Sequence, residues 1–465
     1  MSSGRQRNIA VVLAGGVGTR VGLGIPKQLI RIAGKAIVEH TIEVLSAHER
    51  IDEVIVMMNA ETIHELDYLK LDPRFEKLTA ILPGGATRND TTELALAALP
   101  TEGDESITVL LHDAVRPFID ERIISDCIDA LDTYDAVDTA IPSADTIIEV
   151  DSDRLITGIP PRAALRRGQT PQAFRLPVIR RAYALARQDP QFSATDDCGV
   201  VFTYLPDVPI YVVDGTPENM KITEPLDIHI ADKLFQLQSA ELAGTDATPL
   251  PDLTGSNIVV FGGSSGIGAS VAELARAAGA TVHVFSRSAT GTDVTKRKAI
   301  RAALELAERD GPIDHIVVTA GLLSRSPLAD ADPAELRKML EVNLMAPVKI
   351  SQEAYPALHR SGGNLVFFTS SSYTRGRASY SMYSATKAAV VNLTQALADE
   401  WGDDGIRVNC INPERTETPM RQKAFGDEPS DTLLAASSVA RATLRVLDSP
   451  VTGQVIDVRR DHRAG

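Results

Sequence analysis

The chain has few of the residues that cross-link a small fold or anchor one in a bilayer. Three cysteines, Cys127, Cys198 and Cys410, are spread over 465 residues without a CxxC motif or a Cys/His pairing. That excludes a disulfide framework and a zinc knuckle, and it suits a reducing cytoplasm. No apolar stretch approaches the ~18 residues of a membrane span. No block of lysine and arginine interrupts a chain with 47 basic and 62 acidic residues and a formal net charge of −15. Nonspecific binding to nucleic acid or to an anionic membrane is therefore not expected, and any anionic ligand must be gathered by local basic residues. The N-terminus, MSSGRQRNIAVVLAGG, is basic, but its apolar run is short and breaks into glycines. It reads as a buried first strand rather than a signal peptide. The rest is ordinary: 44% apolar and 23% charged residues, a globular composition, at a length for about two or three domains.

Both halves open alike, with a short apolar run and then a glycine-rich turn. Ile9–Leu13 precedes Ala14-Gly15-Gly16-Val17-Gly18, and Ile258–Phe261 precedes Gly262-Gly263-Ser264-Ser265-Gly266-Ile267-Gly268. Between them QLQSAELAGTDATPLP has linker composition. The expected organisation is a domain over 1–235, a linker over 236–252 and a domain over 253–465. Strand-like runs (54–58, 78–82 and 108–111; 282–285, 316–318, 365–368 and 455–458) alternate with helical patterns (38–45 and 91–99; 269–278, 296–308 and 385–400). Such alternation predicts an α/β fold: two Rossmann-like doubly wound domains, each a mostly parallel sheet with helices on both faces. Ligands then bind beyond the carboxyl ends of the strands, where the glycine turns lie.

In the first half, Leu13–Lys27 reads LAGGVGTRVGLGIPK. Ala14, Gly15, Gly16 and Gly18 let backbone N–H groups approach phosphate oxygens, and Arg20 and Lys27 add cations. Fixed cations stabilise the charge that grows on the equatorial oxygens when a phosphorus is attacked. Gly84, Gly85 and Arg88 follow a strand and could wrap a base edge. Asp113, past another strand end, could ligate Mg²⁺, accept from a ribose hydroxyl or cap a helix. Arg162, Arg166 and Thr170 suit the phosphate of a second substrate, and Lys221 in NMKIT offers one more cation. The residues Thr195-Asp196-Asp197 could supply carboxylates or a helix cap.

Taken in order, AGGVGTR, PKQ, GGATR, HDAVRP, GQTPQAF and NMKIT resemble the family of pyrimidine-nucleotide-dependent sugar- and polyol-phosphate transferases. The resemblance implies a cytidylyltransferase using CTP and Mg²⁺. Arg20, Lys27 and Lys221 would stabilise the α-phosphate, and Gly84, Gly85 and Arg88 would surround cytosine. Asp113 would sit beside the ribose and metal, and Arg162 or Arg166 with Thr170 would hold a polyol phosphate.

In the second half, the turn from Gly262 through Ser264, Ser265, Gly266, Ile267 and Gly268 opens a helix, which places pyrophosphate at a helix N-terminus. The second strand ends in Phe285-Ser286-Arg287, with no acidic residue for an adenosine 2′-hydroxyl. A cation there favours NADPH over NADH. Tyr383 and Lys387 are one helical turn apart, so a nearby ammonium is expected to lower the tyrosine pKa and ready it as a proton donor to a carbonyl. Ser370 or Ser371 could hold the substrate oxygen, and Asn343 could brace the lysine through water.

These residues are similar to the short-chain dehydrogenase/reductase family. The resemblance makes Tyr383 the acid, Lys387 its tuner and ribose ligand, and Asn343 the completing residue. It prefers Ser370, thirteen positions before Tyr383. It also places Asp293 and Val294 at adenine, Ala320 and Gly321 in the turn after the third strand, and Pro413 and Thr416 on the nicotinamide side. Phe261, Val318-Thr319 and Glu414 depart from the family pattern. The pair of domains suggests consecutive steps on small molecules, reduction of a ketose phosphate and then activation of the polyol phosphate. Three readings stay open beside a pentose phosphate: a methylerythritol phosphate cytidylyltransferase fused to a reductase of different substrate, another polyol or ketose phosphate such as a tetrose or hexose derivative, and a reductase fold serving only for sensing or dimerisation. A homodimer is expected.

Overall fold

The computed structural model describes residues 6–15, 26–101, 103–242 and 248–460. The chain divides into two compact units, Met1–Arg31 with Lys35–Ala231, and Ile32–Gly34 with Asp232–Gly465.

In the first unit, strands β1 (Arg7–Ala14), β2 (Glu53–Met58), β3 (Leu78–Pro83), β4 (Ile107–Asp113), β5 (Ala136–Pro142), β6 (Arg166–Gly168), β7 (Gln172–Arg175) and β8 (Ile210–Asp214) form one sheet. Its order is β6-β5-β7-β4-β1-β2-β3, with β8 also paired to β5. The centre is parallel, and the short strands β6 and β7 run antiparallel to their neighbours. Along β1, Ala10, Val12 and Ala14 enter one core while Ile9 and Val11 enter another. A strand buried on both faces reads as an unbroken apolar run, which is what the sequence shows. The chain leaves β1 toward β2 and β3, then returns to β4 on the other side of β1, where Leu13 stands in register with Asp113. That reversal opens a crevice beyond the strand ends.

The second unit holds β9 (Asn257–Phe261), β10 (Thr281–Phe285), β11 (His315–Val318), β12 (Asn364–Phe368), β13 (Arg407–Pro413) and β14 (Val455–Val458). All are parallel, in the order β10-β9-β11-β12-β13-β14. Val259 and Phe261 face one core, Ile258 and Val260 the other. The order reverses between β9 and β11, beside the helix Gly266–Ala277.

One boundary differs from the expectation. The helix Pro225–Leu242 runs into the start of the expected linker, because LFQLQSAEL is built of good helix formers and meets no glycine until Gly244. Among the described residues, no helix is long and apolar enough to cross a membrane.

Candidate functional sites

In the first unit, the turn after β1 packs on the turn after β3. A Cβ on Gly15 would lie 2.8 Å from Thr91 Oγ1, one on Gly84 3.1 Å from Gly15 Cα, and one on Gly85 2.3 Å from Asp90 Cβ. These glycines are thus demanded by the protein's own packing, beside the buried Ala14. The helix Arg88–Ala98 starts in a capping box between Thr87 and Asp90, which pins the turn. Gly16, Gly18 and Arg20 lie outside the described residues.

Beyond the end of β4, Asp113 is surrounded by cations. Lys221 Nζ is 3.0 Å from its carboxylate, Arg116 Nε 3.3 Å and Arg88 Nε 3.7 Å. Burial by itself would raise the Asp113 pKa, but Lys221, Arg88 and Arg116 outweigh it and hold the carboxyl well below its usual range. Lys27 Nζ donates to the carbonyl of Ile222 at 3.2 Å, which brings it beside Lys221. Arg88 also reaches the fully buried Asp197 at 2.7 Å, which accepts from Tyr183 OH at 2.7 Å. Arg88 is therefore engaged by two carboxylates rather than left free along a base edge. Asp113 could ligate a magnesium ion carried by phosphate oxygens only by giving up part of this ion pairing. No group of three or more acidic, His or Cys side chains suited to a metal occurs among the described residues.

Thr170 is 4% exposed. Its hydroxyl accepts from the Asp113 N–H at 3.0 Å and lies 3.0 Å from His112 Nδ1, so it positions the end of β4. Arg162 and Arg166 are exposed and donate to nearby carbonyls, Ala144 in one case and Ala163 and Leu165 in the other. The structure does not join them to the Asp113 cluster. Sequence reading missed Arg116 and left Asp197 undecided. The signal for both was local: an arginine three residues after Asp113, and a carboxylate opening the helix Asp197–Tyr204.

The second unit surrounds a cavity of about 640 Å³ beyond its strand ends. Gly262 has φ +93°, and a Cβ there would lie 2.5 Å from Ala320 N. Gly268 leaves no more room, with Thr319 Oγ1 2.4 Å from the position of a Cβ. Ser265 makes no side-chain cap to the helix it precedes, so the first-turn N–H groups around Gly266 and Ile267 remain for an anion. Ser264, Arg287, Asp293 and Val294 line the cavity where the dinucleotide's adenosine end is expected, and Ala320, Gly321, Pro413 and Thr416 line it elsewhere. Asp293 is partly occupied, accepting from the N–H and hydroxyl of Thr295. Glu414, in place of a glycine, is tied down by the Arg460 N–H at 2.9 Å.

Ser370, Tyr383 and Lys387 line the same cavity. Ser370 and Ser371 both line the cavity; Ser371 is exposed, and the Ser370 side chain interacts with Tyr383 so as to favour its phenolate. Burial pushes Tyr383 up to about 12, only partly offset by that interaction. Lys387 is pushed down to about 8 by burial. Its Nζ donates to the Phe368 carbonyl at 2.8 Å and sits 5.7 Å from the Tyr383 ring centroid. The expected lowering of the tyrosine pKa by the lysine is not seen in this structure, because burial of Tyr383 itself dominates. Asn343 lies in a π-helical turn, Glu341–Met345. It clamps Leu322 from both sides, accepting from its N–H at 2.7 Å and donating to its carbonyl at 2.8 Å. It therefore braces the loop after β11; no direct bond joins it to Lys387.

The comparisons agree with this division. The 2-C-methyl-D-erythritol 4-phosphate cytidylyltransferase model matches residues 8–237, and the short chain dehydrogenase model matches residues 256–429. Over 458 residues the chain is 44% identical to the bifunctional ribulose 5-phosphate reductase/CDP-ribitol pyrophosphorylase of Haemophilus influenzae, covering 98% of this chain and 96% of that protein. A segment of 241 residues is 46% identical to the 2-C-methyl-D-erythritol 4-phosphate cytidylyltransferase of Thermobifida fusca, 51% of this chain and 96% of that one. A segment of 235 residues is 36% identical to the ribitol-5-phosphate cytidylyltransferase of Lactiplantibacillus plantarum, 50% and 99% respectively.

Proposed function

The chain belongs to the family of bifunctional ribulose 5-phosphate reductase/CDP-ribitol pyrophosphorylases, and from that premise we propose that it reduces D-ribulose 5-phosphate to D-ribitol 5-phosphate and then forms CDP-ribitol from CTP. The observation that carries this reading is the pairing, in one chain, of a Ser370–Tyr383–Lys387 set on a dinucleotide-sized cavity with a cation cluster at the end of β4. The reductase takes a nicotinamide cofactor, and Arg287 at the end of β10 favours NADPH.

In the reductase, the cofactor supplies the hydride. Ser370 holds the ketone oxygen, and Tyr383, kept protonated at neutral pH by burial, hands its proton to that oxygen as the carbon is reduced. Lys387 would hold the cofactor's ribose. In the transferase, an oxygen of ribitol 5-phosphate attacks the α-phosphorus of CTP and pyrophosphate leaves. That nucleophile is already anionic, so the protein needs no strong base. Lys27, Lys221 and Arg20 take up charge on the phosphorus centre, and Asp113 keeps Lys221 and Arg88 in place until the triphosphate competes for them. Mg²⁺ carried by the triphosphate would share in neutralising that charge. The domains 1–235 and 253–465, a cytoplasmic location and a homodimer complete the reading.

The test is one mixture of protein, D-ribulose 5-phosphate, NADPH and CTP. NADPH oxidation should come first, followed by CTP-dependent pyrophosphate release. Pyrophosphate release only with added ribitol 5-phosphate would remove the reductase substrate from the proposal. The 46% match to a methylerythritol phosphate enzyme supports a second reading, and turnover of methylerythritol phosphate without turnover of ribitol 5-phosphate would establish it. Arg287→Ala should raise the KM for NADPH far more than that for NADH.

A further inference from the structure

The geometry points to Arg377 and Arg421 as an anion subsite that holds the phosphate of the ketose phosphate during reduction; this rests on reading the second unit as a ketose phosphate reductase. Both arginines line the cavity together with Tyr383. In a chain of net charge −15, two further cations lining one cavity need a reason. The cofactor's phosphates are already provided for by the glycine turn and by Arg287.

Arg421 is held rigidly. Its Nε and Nη2 meet both oxygens of Glu428 at 2.7 and 2.9 Å, and its guanidinium lies 4.5 Å from the Phe425 ring centroid. Two of its N–H groups are used by Glu428, and the rest of the fork is left for a ligand. Phe425 packs edge-on against Tyr380, which packs against Tyr383, with centroids 6.1 and 6.2 Å apart. A continuous aromatic contact therefore links the arginine to the proton donor. Arg421 also contributes positive potential at Tyr383. Arg377 is the complementary case. Its backbone N–H donates to Ser384 Oγ at 3.3 Å, beside Tyr383 in sequence, and its exposed guanidinium forms no ion pair with a described carboxylate. A fixed cation and an unpaired one lining the same cavity suit a phosphate dianion, and a neutral ketone would need neither.

The experiment compares D-ribulose 5-phosphate with D-ribulose in the full-length enzyme. Wild type should prefer the phosphorylated ketose. Arg377→Ala and Arg421→Ala should each shrink that preference, as a ratio of kcat/KM values, by about 30- to 150-fold, the effect of one charged hydrogen-bonding partner. The loss should fall mainly in KM. Arg377→Lys should recover part of the preference, and inorganic phosphate should compete with the ketose less well in the alanine variants. NADPH binding, followed by fluorescence, should stay within about twofold and shows that the domain is folded. Equal loss for both ketoses, an unchanged ratio, or a shift confined to NADPH affinity would each overturn the subsite. A wild type with no preference for phosphate would do the same. If wild type ignores D-ribulose 5-phosphate but reduces another ketose phosphate with the same arginine dependence, the pentose reading fails and the subsite stands.

Discussion

The two sites solve opposite electrostatic problems. At the end of β4, Asp113 is held among Lys221, Arg116 and Arg88, and Asp197 pairs with Arg88 from the other side. Charges there are abundant, three cations against two carboxylates. In the cavity of the second unit, Tyr383 and Lys387 are largely enclosed, and burial moves the pKa of each toward its neutral form. The difference follows the chemistry. Attack on a phosphorus concentrates negative charge, so that site stores cations on carboxylates that can release them. Ketone reduction moves a hydride and a proton together with little net charge, so the second site can be dry.

If the two sites are independent, each can be silenced without the other. The largest effect is expected for Tyr383→Phe, which should lower ketose reduction by about 10³-fold, within the range for a lost general acid. Pyrophosphate release from CTP and ribitol 5-phosphate should be unchanged; a parallel fall in both assays would break the comparison. Next, Lys221→Ala should slow cytidylyl transfer by about 10²-fold while leaving NADPH oxidation intact. A smaller effect, on stability, is expected for Asp197→Asn. It leaves Arg88 without its closest counter-charge and Tyr183 with a weaker acceptor. Because the Arg88 side chain is still 24% exposed, the cost should be about 2 kcal/mol, below that of a fully buried pair. Calorimetry resolving two transitions should show the shift in the first unit alone.

The pH dependence should separate the units as well. Asp113 titrates lower folded than unfolded, so its contribution is complete above about pH 4 and fades as the pH falls below that. Lys387 acts with the same sign in a higher window, for a different cause, burial of its ammonium. Its pKa drops from 10.5 to about 8, and between those values the unfolded lysine keeps a proton that the folded one has released. Rising pH across that window should stabilise the second unit by about 1.4 kcal/mol per pH unit. Lys387→Met should flatten that slope, and Asp113→Asn the acid one. A slope that survives either substitution assigns it to another group.

Much of this was legible in the chain. β1 and β9 appear as apolar runs ending in glycine turns, because a strand buried on both faces cannot hide its composition. Tyr383 and Lys387 were legible because helical spacing alone puts them on one face. Arg116 was missed, Asp197 was left undecided, and the bonds of Thr170 to the end of β4 were not foreseen. Their roles depend on β4 and β7 lying side by side and on the helix Asp197–Tyr204 reaching Arg88, contacts between residues dozens of positions apart. Asn343 was expected to brace the lysine through water, and its bonds to Leu322 were not foreseen, since a π-helical turn is not visible in composition. The sign of the Tyr383 shift was also misjudged, because spacing reveals the neighbouring lysine and says nothing of how deeply both are buried.

Local order thus determined where the strands end, where anions can meet backbone N–H groups and which side chains share a helical face, since these depend on neighbours along the chain. The tertiary structure alone decided which cations meet which carboxylates and which polar groups lose their water. Those outcomes depend on distance and desolvation, and both are set only when remote segments pack.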